Sequence, residues 1–150
     1  MARVAFIPLP PGKEPGFDHA DTYRGGRRMY VAHTGVDRVE VLDCEARTFL
    51  RSLPDLPGVA GVLVDEGHDL LVTSDRAGAR VSVFRCSDEQ LLGQVAVGPH
   101  PNGLAYDRRR RRLYAFNLGE PLGENCTASV VELNTMRVSH EMALPGRPRW

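Results

Sequence analysis

Apolar and polar residues alternate in short runs along this chain, and no stretch sustains the 3.6-residue spacing of an amphipathic helix. "RVEVLD" (38–43) and "RVSVFR" (80–85) put valine at every second position, the period of a strand with one buried face. Clusters of Gly, Pro, Asp and Asn separate such runs, as turns between strands require. The runs also recur. "RRMYVAHTGVDRVEVLD" (27–43) aligns with "HDLLVTSDRAGARVSVFR" (68–85), and "RRLYAFNLGEPLGENCTASVVEL" (111–133) follows with a longer insert. Tyr30, Leu71 and Tyr114 take one position, 41 and 43 residues apart; Val39 and Val81 take another, 42 apart. "GVLVD" (61–65) and "GLAYD" (103–107) are again 42 apart.

A repeat of about 40–45 residues carrying four short strands is a β-propeller blade. The expected fold is therefore all-β, with about three blades of four antiparallel strands. Strand a is expected at 60–65 and 102–107, with a poorer counterpart at 17–21. Strand b falls at 28–33, 69–74 and 112–117, and strand c at 38–43, 80–85 and 128–133. Strand d falls at 49–53, 91–97 and 137–143. The blades then run 17–59, 60–101 and 102–148, after an N-terminal segment (1–16) that reads as a strand of a preceding blade. Residues 149–150 begin a further one. Three blades alone leave two apolar faces uncovered. The chain is expected to be part of a larger ring, with self-association of copies as the alternative way to close one.

Charge narrows the partners. The 19 basic and 19 acidic residues balance, so no global field draws the chain to nucleic acid or a membrane surface. Arg108 to Arg112 form a basic run, but the equivalent turn one repeat earlier, "DEGHD", is acidic, and nucleic-acid binding is not expected. Cys44, Cys86 and Cys126 lack metal-ligand spacing and cannot all pair. Cys126 lies in the insert and is expected to be exposed. The opening "MARVAFIPLPPG" has no signal-peptide pattern, and no apolar run reaches bilayer length, so a cytoplasmic location is expected. No Gly-x-Ser-x-Gly, phosphate-loop or His-Glu-x-x-His pattern occurs.

The repeats resemble the YVTN β-propeller family, the YncE-like proteins, on "MYVAH…RVEVLD" and "QVAVGPHPNGLAYD…RLYAFN". That resemblance implies a larger propeller and says little of activity, because propellers host enzymes and scaffolds alike. "PNGLAYD" (101–107) is also similar to a gluconolactonase propeller motif whose asparagine ligates a divalent metal, which would make Asn102 a metal ligand.

In a propeller the d-to-a and b-to-c connections share one face. That face carries His33, Asn117, His100, Asn102, Arg147 and Arg149, with His19 on the tentative first strand a. These seven are the candidate ligand-binding residues at the channel. For His19 the competing expectation is a buried histidine paired with Asp18; for Asn102 it is a turn residue bonding local backbone. No cofactor is evident, a divalent metal at Asn102 being the alternative. The expected activity is a scaffold that binds a small molecule or protein; the alternative is part of a metal-dependent lactonase-type hydrolase.

Overall fold

The computed structural model describes residues 6–11 and 16–148. Twelve strands form three four-stranded antiparallel sheets, each a blade built in chain order. The first comprises β1 (Ala20–Tyr23), β2 (Arg28–His33), β3 (Arg38–Asp43) and β4 (Thr48–Leu53). The second comprises β5 (Val59–Asp65), β6 (Leu70–Asp75), β7 (Arg80–Arg85) and β8 (Leu91–Ala96). The third comprises β9 (Pro101–Asp107), β10 (Arg112–Asn117), β11 (Thr127–Glu132) and β12 (Arg137–Ala143). These are three blades of a propeller that does not close on itself.

The register repeats more regularly than the sequence alignment implies. Tyr30 pairs with Val41, Val72 with Val83 and Tyr114 with Val130. Val72, not Leu71, is therefore the counterpart of Tyr30, and the second strand of every blade keeps a strict 42-residue spacing. A one-residue slip would send Leu71 to the opposite face. Every blade also carries one irregularity between its third and fourth strands, at Val41/Leu42, Val83/Phe84 and Val130/Val131. An extra residue there sharpens the local twist.

Alternation then sorts the side chains between two blade interfaces. Tyr30, Ala32, Val39 and Val41 pack with Val62, Val64, Leu71 and Phe84 between the first and second blades. Leu70, Val72, Val81 and Val83 pack with Leu113, Ala115, Val131 and Leu133 between the second and third. All six residues of β6 are buried, because each face of the middle blade meets a neighbour. All seven of β12, on the outer rim, are exposed.

Two expectations need correction here. The first inner strand lies at 20–23 rather than 17–21. Asp18 and His19 precede it in extended backbone, still bonding to Ala32. Cys126 is buried, not exposed, because the insert folds back: Gly123 N donates to Leu118 O at 2.7 Å and the Cys126 thiol to the same carbonyl at 3.3 Å.

Candidate functional site at the channel mouth

His33 and Asn117, expected on the channel face, are the last residues of β2 and β10 and are buried. Together with Asp75 they form one set, spaced by 42 residues. Each anchors a polar layer inside its own blade. His33 Nδ1 lies 2.8 Å from Glu40 Oε1, so the carboxylate, which only accepts, fixes the proton on Nδ1. Arg38 Nε donates to the same oxygen at 2.7 Å and Ser52 Oγ donates to Oε2, while Phe17 stacks on the imidazole at 4.1 Å. In the second blade Asp75 accepts from Thr73 (2.8 Å), Ser82 (2.6 Å) and Arg80 (3.0 Å). In the third, Asn117 Nδ2 donates to Thr127 (2.9 Å) and Ser129 (2.8 Å), and Thr127 Oγ1 donates to Glu141 at 2.7 Å. Every blade holds one carboxylate, but on its third, second and fourth strand in turn.

Burial pushes the Glu40 carboxyl up, yet hydrogen bonds from Ser52, His33 and Arg38 outweigh it, and the net shift is downward. This buried chemistry stabilises the blades. Glu40 and Asp75 are enclosed with no open side for a ligand, whereas Glu141 is exposed and the buried Asn117 Oδ1 has no hydrogen-bond partner among the described residues.

On the channel side, side chains of all three blades converge at Asp18, Arg76 and Asn102; farther out, Arg28 and Arg51 of the first blade meet the buried Glu89 of the second. Arg76, in the turn after β6, donates from Nη2 to Asp18 Oδ2 at 2.8 Å and also to Asn102 Oδ1. One guanidinium thus ties the inner edges of all three blades. His19 stands beside it, its Nδ1 2.7 Å from Asp18 Oδ1 and its side chain half-exposed rather than buried. Asn102 lies inside β9, not in a turn, and its backbone carbonyl accepts from Ser74 Oγ, which itself accepts from Gly61 N at 2.7 Å. These bonds stitch β5 to β9. Sequence reasoning missed Arg76; its signal was its place in a b-to-c connection, on the same face as Asn102.

His100 is held by its backbone. It sits 42 residues after Gly58, and both have left-handed φ, 53° and 64°. Each offers its carbonyl to the turn of its blade, Gly58 to Arg76 N and His100 to Leu118 N. The His100 Nδ1 donates to Gly119 O at 3.1 Å. Arg147 lies beside the insert, near Gly123. Arg149 falls outside the described residues.

A metal at Asn102 fits this donor set poorly. The Oδ1 that a cation would take already accepts from a guanidinium, and two positive charges cannot share it. Among the described residues no group of three or more His, Cys, Asp or Glu side chains is placed to hold a metal ion. Nor, among them, is any helix long and apolar enough to cross a membrane.

Two arginines of the run form ion pairs within their own blade. Arg110 reaches Asp107 at 2.8 Å and Arg112 reaches Glu132 at 2.7 Å. The side-chain hydrogen bond from Arg110 leads a set of contacts that hold the Asp107 carboxyl below its ordinary range.

No family model matches the chain, and no curated protein matches it in sequence. Its fold does have a counterpart among solved structures. It is similar to a chain of Kuenenia stuttgartiensis hydrazine synthase, with a TM-score of 0.78 over 90% of this chain and 15% identity. This chain spans 38% of the length of that one. At such identity the likeness carries the blade architecture and no chemistry.

Proposed function

We propose that this chain is a YVTN-type propeller segment acting as a binding scaffold, with a small molecule or a protein held at the channel face. The observation that carries the reading is the Arg76 bridge between Asp18 and Asn102. It builds a polar mouth from three blades and puts a guanidinium on the oxygen that a lactonase-type metal would need. The candidate histidines support the same reading. His33 is enclosed with Glu40, and His100 is bonded to Gly119 O, so among the described residues neither stands in a metal-binding carboxylate set.

The test is thermal denaturation with calcium, manganese or zinc, on the wild type and on Asn102→Ala. The scaffold reading expects no metal-dependent rise in Tm in either protein. A rise of several degrees that Asn102→Ala abolishes, accompanied by lactone hydrolysis, would replace it with the hydrolase. A positive arm screens small molecules and proteins for binding to the wild type. Ligands at this face are expected to lose affinity in Arg76→Gln, and ligands indifferent to that change would sink the assignment to this mouth.

A further inference from the structure

The opposite mouth of the channel, where the a-to-b turns meet, holds a second polar cavity that the scaffold reading does not use. Its volume is about 250 Å³, and its wall includes Asp21, Thr22, Arg24, Glu66, Gly67 and Arg108. The turns of all three blades contribute. At roughly 30 Å³ per liquid water molecule, that space holds about eight waters, or one small polar molecule.

The charges of the wall sum to zero: Arg24 and Arg108 against Asp21 and Glu66. Their remaining bonding capacity is uneven. Asp21 accepts from Thr22 N at 2.7 Å and from Val64 N at 2.8 Å, one donor on each oxygen. Glu66 accepts from Arg24 N through Oε1 alone, leaving Oε2 for another donor. The Arg24 guanidinium has no ion pair among the described residues. Arg108 is 71% exposed, and its Nε stands 3.6 Å from Asp65, beyond hydrogen-bond length. His68 takes the other oxygen of Asp65, Oδ2, at 2.5 Å. The cavity therefore offers the Arg24 guanidinium without an ion pair among the described residues, the Arg108 guanidinium held only by a long ion pair to Asp65, and one Glu66 oxygen without a donor. Guanidinium matches a carboxylate through paired N–H donors, and the Glu66 oxygen matches an ammonium. A simple anion would meet the Glu66 and Asp65 charges, and a simple cation would meet both arginines.

We infer that this cavity binds a small zwitterion carrying a carboxylate and an ammonium, of the size of an α-amino acid. The carboxylate lies on Arg24 and Arg108 and the ammonium on Glu66. The experiment is an NMR titration of the full chain with L-serine, 3-hydroxypropionate and ethanolamine, which share one skeleton and differ only in the charged groups. L-serine is expected to saturate, moving the Thr22, Gly67 and Arg108 amides. The other two are expected to bind at least tenfold more weakly. Arg108→Gln and Glu66→Gln should each weaken L-serine by about tenfold, whereas Arg109→Gln, in the same turn but outside the cavity wall, should leave it unchanged. The wild-type titration decides the matter even if a variant misfolds. Equal binding of 3-hydroxypropionate would show a plain anion site and equal binding of ethanolamine a plain cation site. Either result, or no saturable shift with L-serine, overturns the proposal.

Discussion

Replacing Glu40 with glutamine tests the buried layer of the first blade without changing its shape. The carboxylate is fully buried and takes three side-chain donors, from His33, Arg38 and Ser52. In Glu40→Gln the amide oxygen can still accept from His33 and Arg38, and the Ser52 hydroxyl can rotate to accept from the new NH₂. What is lost is the charge. Hydrogen bonds to charged groups contribute about 1.5–3 kcal/mol each, against about 1 for neutral ones, and Arg38 loses its counter-charge. A net loss of about 2 kcal/mol at pH 7 follows, a fall of about 1 M in the urea midpoint at a slope near 2 kcal/mol/M. Glu40→Leu, which strands His33, Arg38 and Ser52 together, should cost about 3–5 kcal/mol. The pH dependence carries a second signature. Because the folded state holds this carboxyl below its ordinary value of 4.5, its contribution is complete above that value. It is lost as pH falls through the lower, folded-state value. Urea titrations from pH 8 to 3 should show a constant gap between wild type and Glu40→Gln down to about pH 5, then a narrowing one. A gap under about 0.5 kcal/mol at pH 7, or one that widens on acidification, would refute the account, since even neutral hydrogen bonds contribute about that much.

Three further outcomes follow from single positions. His100→Gly should be more stable than His100→Ala by about 1 kcal/mol in urea denaturation, reversing the usual order, because the backbone at 100 is left-handed like that of Gly58; an alanine variant of equal or greater stability would contradict it. Gly61→Ala would put its Cβ 2.5 Å from the Asn102 carbonyl oxygen and 2.7 Å from Ser74 Oγ, separating β5 from β9. Overpacking of this kind costs about 1–3 kcal/mol, so a drop of about 5 °C in Tm is expected, and a Tm within 1 °C of wild type would count against the close approach. Of the three free thiols, only Cys44 is exposed. Burial, with Asp69, Glu66 and Glu89 nearby, pushes the Cys86 thiol up to about 12, so one thiol should react rapidly in the native protein and the other two only on unfolding.

The blades were legible because they repeat. Val39, Val41, Val81 and Val83 alternate at fixed spacing, and one strand assignment supports the next. The first inner strand was misplaced because residues 17–23 contain a single aliphatic side chain, Ala20, and give no apolar alternation. Its position is set instead by its pairing with β2, from Tyr23 with Arg28 to Ala20 with Val31, and by the His19 N bond to Ala60 O. The site was less legible than the fold. His33, Asp75 and Asn117 were each visible as polar residues at a strand end, but identity does not repeat among them, and burial follows from the neighbouring blade rather than from the local sequence. Arg76 was not legible because the asparagine motif points to oxygen ligands, whereas the group that reaches Asn102 is a cation from the preceding blade.

The same contrast separates scaffold from site. Polar contacts at the strand ends close within one blade: Glu40, Asp75 and Glu141 each find their side-chain partners on strands of their own sheet. Because each layer is self-contained, its carboxylate can move from β3 to β6 to β12 without disturbing the neighbours, which is why no residue type recurs. Contacts along the inner edge instead cross between blades: Arg76 to Asp18 and Asn102, Asp21 to Val64 N, Arg24 N to Glu66. These cannot exist before neighbouring blades have docked. The inner edge is therefore one place where the relative position of blades is chemically sensed, besides the Arg28 and Arg51 contacts to Glu89, and both candidate mouths lie on it. A ligand bridging Arg24, Glu66 and Arg108 would bind only the docked arrangement and would stabilise it by mass action.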